Sequence, residues 1–203
     1  MGPSAGNDRI EELSPRLLQY CRPPLAVIGK PVVAHFRVNL GPAVHFEASL
    51  ERDLSGNTRI ELRDPASQAP HFGLLWSLKD KVDKLLFYHE RFVAVCQWPT
   101  LRNGNAWSFG TFEAEWTDQH EKLVGRDARR VILRKHSKGA AVTRYVGECW
   151  ISESLLIVMR ERILGRKGNI QEWEVTRIDE QPPAGDVLVT PPGFHEIDRS
   201  RKR

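Results

Sequence analysis

From residue 25 onward, apolar residues recur at every second position or in short unbroken runs separated by turn formers, a pattern of strands rather than helices. Val32–Leu40 and Ala43–Arg52 are the first expected strands, joined by Gly41-Pro42. Ser55-Gly56-Asn57 is a turn. In Thr58–Arg63, Ile60 and Leu62 face one way while Arg59, Glu61 and Arg63 face the other. Asp64-Pro65 ends that strand, because the residue before proline is conformationally restricted. Phe72–Leu78, Lys84–His89 and Phe92–Trp98 then form a meander around the charged turn Lys79-Asp80-Lys81. Pro99–Asn105 reads as a longer loop and Trp107–Trp116 as a less regular stretch. Ala128–Arg134, Arg144–Trp150, Leu155–Arg162 and Ile170–Ile178 complete the strands, and the tail Pro182–Ile197 carries a short Val187-Leu188-Val189 run.

Helical spacing is confined to Asn7–Cys21, where Ile10, Leu13, Leu17 and Leu18 recur three and four apart behind Asn7 or Asp8 as cap. Pro15 separates its first turn, and Pro23-Pro24 ends it. The expected organisation is a helical segment over 1–23, one curved antiparallel β-sheet domain over 24–198 and a basic tail over 199–203. Such a chain is mainly β (α+β), its sheet curling into a barrel or an open half-barrel with an N-terminal helix.

With 203 residues, 40% of them apolar, the chain can bury a real core. Its net charge of +4 lies in the tail Arg199–Arg203, which holds four cations and no acid, so the body before it is neutral. A neutral body is poor evidence for a grip on nucleic acid, and no nucleic-acid partner is expected. The longest stretch free of Asp, Glu, Lys and Arg is Pro65–Leu78, too short and too polar for a membrane-spanning helix. Residues 1–30 lack the basic start and apolar centre of an export signal, which leaves two readings: a chain that stays inside, or a processed or shortened form. Three cysteines, Cys21, Cys96 and Cys149, support no disulfide framework, and the latter two sit in strand-like runs as small core residues.

Motifs for chemistry are sparse. The seven histidines have no i,i+2 or i,i+4 pairing for a metal, and no nucleophile elbow, phosphate-binding loop or zinc-protease motif is present. Gly165–Gly168 and Asn103–Asn105 are hairpin turns rather than phosphate cradles. No cofactor, metal or enzymatic activity is expected; a hydrolase using His89 or His136 is the weakest alternative. Cations concentrate in Lys122–Lys138, where Arg130 and Arg134 point outward while Val131 and Leu133 point inward. That ribbon is either a solvated face or a contact surface built on Arg126, Arg130, Arg134 and Lys135. Six tryptophans either fill the sheet's hollow or line a hydrophobic cleft.

The order of short motifs resembles a known group. Ser55–Pro65, with its G-x-T-R-x-E…DP spelling, is similar to secreted bacterial proteins of unknown function. Gly125-Arg126-Asp127-Ala128, Cys149–Leu155, Ile170–Ile178, Pro182-Pro183 and Val187–Phe194 resemble both those proteins and the LolA/LolB and RseB-like group of periplasmic lipoprotein-binding domains. The resemblance covers roughly residues 43–197 and departs at Leu188, where the pattern has Phe, and in the missing export signal. It implies a strongly curved, unclosed antiparallel sheet that holds acyl chains or another hydrophobic ligand without chemistry, in a periplasmic or secreted protein. The expected lining is Trp76, Phe87, Trp98, Trp150 and Trp173, with the Asn7–Cys21 helix as lid. The expected partner is a hydrophobic ligand or lipoprotein, with peripheral membrane contact left open. The alternative is a scaffold with a packed sheet whose basic ribbon 122–138 meets an acidic partner.

Overall fold

The computed structural model describes residues 27–97, 112–136, 143–164 and 169–198. The expected helix over Asn7–Cys21, the loop 99–105, Trp98, Trp107 and the tail 199–203 lie outside the described residues. The strands are β1 (Val32–Asn39), β2 (His45–Arg52), β3 (Thr58–Arg63), β4 (Pro70–Ser77), β5 (Val82–Phe87) and β6 (Phe92–Gln97). They continue as β7 (Phe112–Leu123), β8 (Arg126–His136), β9 (Thr143–Ser152), β10 (Ile157–Leu164), β11 (Ile170–Asp179) and β12 (His195–Asp198). All join one curved sheet in the order β12-β6-β5-β4-β3-β2-β1-β11-β10-β9-β8-β7, which does not close into a barrel. Neighbours are antiparallel except β12, which runs parallel to β6.

Strand alternation turns this order into two faces. On one, the register aligns Val175, Phe36, Ala48, Leu62, Phe72 and Phe87 across successive strands. A neighbouring row runs Ala34, Leu50, Ile60, Leu74, Leu85 and Ala94, and both rows belong to the main buried core. The opposite face carries the charged alternates, as Thr58–Arg63 foretold: Ile60 and Leu62 are buried in the core, while Arg59 and Arg63 both pair with Glu61. Register shifts interrupt the pairing of β1 with β11, β10 with β9, β8 with β9 and β7 with β8, and such bulges raise local twist and curl the sheet. At the β8–β9 shift only glycine fits, because a Cβ on Gly147 would lie 2.4 Å from the Arg162 carbonyl oxygen. The turn at Gly56 has φ +83°, and a Cβ there would press to 2.7 Å of Leu78.

Two features of the sheet lay beyond the sequence reading. The stretch 117–123 was assigned no element from the sequence, and β7 runs through it to Leu123, because its polar residues are organised by pairing with β8 rather than by their own hydrophobic alternation. Thr117 Oγ1 donates to the Arg130 carbonyl at 2.9 Å, and Arg129 Nε donates to the Thr117 carbonyl at 2.7 Å, which steadies the shift in that pairing. The second concerns the tail. Its last strand is β12, and its pairing with β6 is the parallel exception to the antiparallel sheet. Val187 is buried in a turn, and Leu188 and Phe194 pack on Leu75, Leu86 and Val93.

Two polar clusters on the central strands tie separate parts of the structure together. Arg52 is buried, donating from Nε to the Lys30 carbonyl at 2.8 Å, from Nη1 to the Leu156 carbonyl at 3.1 Å and from Nη2 to the Leu155 carbonyl. It thereby ties β2 to the β9–β10 turn, and burial lowers its pKa to about 10. Glu61, nearly buried, accepts from Arg59, Arg63 and the Tyr88 hydroxyl, while Arg59 also donates to the Val189 carbonyl of the tail at 3.0 Å. Burial raises the Glu61 pKa, but the hydrogen bonds from Arg59 and Tyr88 and the charges of Arg59 and Arg63 outweigh it and leave it below the ordinary value. Burial and the Glu61 carboxylate push the Tyr88 phenol up.

Because the folded Glu61 pKa is depressed, its contribution to stability is fully present above the unfolded value of 4.5 and is lost as pH falls through the folded value. Glu61→Gln is expected to lower stability by about 2–3 kcal/mol at pH 7, since it strands two guanidinium groups around an uncharged amide. Urea unfolding of both proteins at pH 7 and pH 3 should show the gap narrowing in acid.

Candidate functional site

The expected lining divides between two environments. Trp76 on β4, Phe87 on β5 and Trp173 on β11 share the apolar face, in three different rows. Trp76 faces Thr58 and Asp83 in a row that begins with Val32 and Arg52. Phe87 lies between Phe72 and Phe92. Trp173 sits beside Val38 and packs edge-on against Phe36, ring centroids 5.9 Å apart. Trp98 lies outside the described residues.

Trp150 stands elsewhere. It opposes Arg130 on β8 and Arg160 on β10, and both guanidinium groups cover its ring, at 6.0 and 5.2 Å from the centroid. The same cross-strand row continues through Glu174, Arg37, Glu47 and Arg63. Arg160 reaches Glu174 and Glu121 at 2.8 Å each, and Arg37 reaches Glu174 at 2.9 Å. The Arg160 hydrogen bond holds the Glu174 carboxyl below its usual pKa; burial opposes it, and the Arg37 hydrogen bond and the charges of both guanidinium groups tip the balance downward. Trp150 is therefore a platform in a charged row, although it is buried and belongs to the main core as well.

Beside Phe87, the residues that complete the apolar face are phenylalanines not singled out in the sequence. Phe87 and Phe92 stack at 4.3 Å, Phe72 meets Phe87 edge-on at 5.5 Å, and Phe46 meets His71 at 5.3 Å. Their signal was their position at alternate sites of successive strands, but it becomes a continuous surface only when the register is known. The apolar face also holds a polar anomaly: Trp76 is 1% exposed and its indole Nε1 has no hydrogen-bond partner. Arg52, Thr58 and Asp83, in the same row, are buried too.

The basic ribbon is paired with acids across the sheet. Arg126 bridges to Glu180, Arg130 to Glu148 and Arg134 to Glu115, the last at 3.0 Å. Lys135 lies exposed on β8 next to this set. Val131 and Leu133 point the other way into a core with Cys149 and Ile151, as alternation required. Among the described residues no group of three or more His, Cys, Asp or Glu could hold a metal ion, and no helix is long and apolar enough to cross a membrane.

No protein-family model matches the chain, and no curated protein matches it in sequence. Solved structures do match in fold. An uncharacterized conserved protein from Thermus thermophilus superposes with a TM-score of 0.57 at 12% identity, covering 97% of this chain and 100% of that one. MucB superposes with a TM-score of 0.52 at 12% identity, covering 94% of this chain and 65% of that one. In the Pseudomonas aeruginosa MucA/MucB complex the match has a TM-score of 0.52 at 14% identity, covering 91% of this chain and 61% of that one. The fold is thus the RseB-like one that the motif order implied.

If the ribbon's charges are committed within the sheet, they contribute to stability. A double-mutant cycle with Arg130→Ala and Glu148→Ala, read by urea unfolding, should give a coupling of about 1–2 kcal/mol, above the range for exposed pairs. A coupling near zero would return Arg130 to the role of a solvated surface charge.

Proposed function

We propose that this protein is a non-enzymatic carrier or sensor domain that holds a hydrophobic guest, an acyl chain or the acylated end of a lipoprotein, against the apolar face of its open sheet, in a periplasmic or secreted setting. The observation that carries the reading is the run of apolar rows that crosses the sheet without interruption from Val175 to Phe92 while the sheet stays unclosed. An acyl chain laid across such rows gains about 0.8 kcal/mol per methylene buried, so binding and release need no reacting group. Phe87 and Trp173, both half-buried, would flank the chain. The scaffold alternative loses ground because Arg126, Arg130 and Arg134 already face acids of this chain.

The test is direct. Native mass spectrometry of the purified protein should reveal co-purified fatty acyl species, and a fluorescent acyl probe should be taken up in competition with them. Trp173→Glu should weaken probe uptake at least tenfold, a change of about 1.4 kcal/mol, with the sheet's circular dichroism unchanged. No bound lipid together with no uptake by delipidated protein would end the acyl reading.

A further inference from the structure

The polar face has a hollow of its own. Over β1, β2 and β11 lies a groove of about 770 Å3, lined among others by His35, Arg37, His45, Glu47, Thr176 and Arg177. Phe36, Phe46 and Ala48 also line it. Strand alternation turns their side chains to the apolar face, while His35, Arg37, His45 and Glu47, the polar alternates of β1 and β2, stand on the groove side. The groove is consequently separated from the apolar rows by the thickness of the sheet.

Its walls carry hydrogen-bond donors and more cations than acids. Arg37 and Arg177 supply two guanidinium groups, His35 and His45 two imidazoles, and Asn39 a side-chain amide next to them, with His45 Nδ1 2.8 Å from Asn39 Oδ1. The acid in the lining is Glu47, whose carboxylate takes a hydrogen bond from Gln68 Nε2 at 3.0 Å and stands across from both Arg37 and Arg63 in the register. Arg37 shares Glu174 with Arg160, so one carboxylate serves two guanidinium groups there. Among the described residues no carboxylate pairs with Arg177, which is exposed at the Thr176 bulge where β11 shifts register against β1. Thr176 Oγ1 donates to the His35 carbonyl at 3.1 Å, which fixes the bulge beside the imidazole.

Guanidinium forks match the oxygens of a phosphoryl group, and imidazole and amide donors complete such a shell. We propose that this groove is a second ligand site, on the face opposite the apolar rows, that takes a phosphoryl oxyanion, with Arg177 and Arg37 as its charged contacts and His35 and His45 as flanking donors. The chemistry is common to soluble phosphate esters and to the headgroups of anionic phospholipids. The site owes nothing to the acyl reading and would survive its failure.

The full-length protein is titrated with inorganic pyrophosphate by calorimetry and sedimented with phosphatidylglycerol and phosphatidylcholine vesicles. Saturable pyrophosphate binding that falls at least tenfold in Arg177→Gln, and also falls in His35→Asn, supports the site with a soluble ligand. Sedimentation with phosphatidylglycerol alone, lost in the same variants, supports it with a lipid headgroup. Arg126→Gln, outside the groove, should leave either signal within about twofold of the parent, a difference under about 0.5 kcal/mol. Absence of binding in both arms overturns the proposal. Binding that persists in Arg177→Gln and His35→Asn overturns it as well, since the anion would then be held elsewhere, such as on Arg199–Arg203.

Discussion

The structure depends on keeping one face of a wide, open sheet apolar across many strands, and that requirement is a requirement on register. A slip of one residue anywhere between β1 and β5 would carry Phe36, Ala48, Leu62 or Phe72 to the charged face and bring Arg37, Glu47, Glu61 or Arg63 into the core. The two sides enforce the same alignment. On one, the apolar rows pack; on the other, Arg160, Glu174, Arg37, Glu47 and Arg63 alternate in sign from strand to strand, so that neighbours attract in the native register. Each exposed contact of this kind is worth only tenths of a kcal/mol, but a slip would replace several of them with like-charge neighbours at once. The charged row thus acts less as a source of stability than as a penalty on misalignment.

Curvature places a second demand on the chain, and Arg52 answers it. The β9–β10 turn has carbonyls at Leu155 and Leu156 pointed at the end of β2, and buried carbonyls without donors would be costly. A guanidinium supplies several donors from one side chain in a planar fork, which lysine could not do. The cost is a buried cation bound by main-chain oxygens, and burial depresses its pKa to about 10. That value still leaves the group protonated at neutral pH, so the donors are present when the turn needs them. Lys30 reinforces the junction by donating to the Ser154 carbonyl at 2.9 Å.

Most strands were legible because each encodes its own alternation: Thr58–Arg63 was read with the bounds and both faces it has in the structure. What could not be read was anything that needs the neighbour's register. The outward direction of Arg130 and Arg134 was visible, but Glu148 and Glu115, on β9 and β7, were not identifiable as their counterions. Trp150 looked like its fellow tryptophans because nothing in residues 143–152 reveals that Arg130 and Arg160 will stand on either side of it. Thr117–Leu123 was given no element for the converse reason, being a strand made by its partner and not by its own pattern. Trp76, Phe87 and Trp173 were picked by residue type, and the register puts them on one face with Phe36, Phe72 and Phe92, which share it by position.

The edges explain how a sheet of this width can remain open. An exposed edge with its main-chain groups unpaired invites another strand, either the opposite edge, closing the barrel, or a second molecule. Here β12 is four residues long, anchored to β6 and to Lys84 through Glu196, and offers little to pair with. At the other end β7 is long, but its run from Trp116 to His120 is displaced from regular pairing and its outer half carries Asp118, His120, Glu121 and Lys122. Both edges are therefore poor templates. A sheet whose edges attract no further strand stays unclosed, and its apolar rows are buried without a barrel being completed around them.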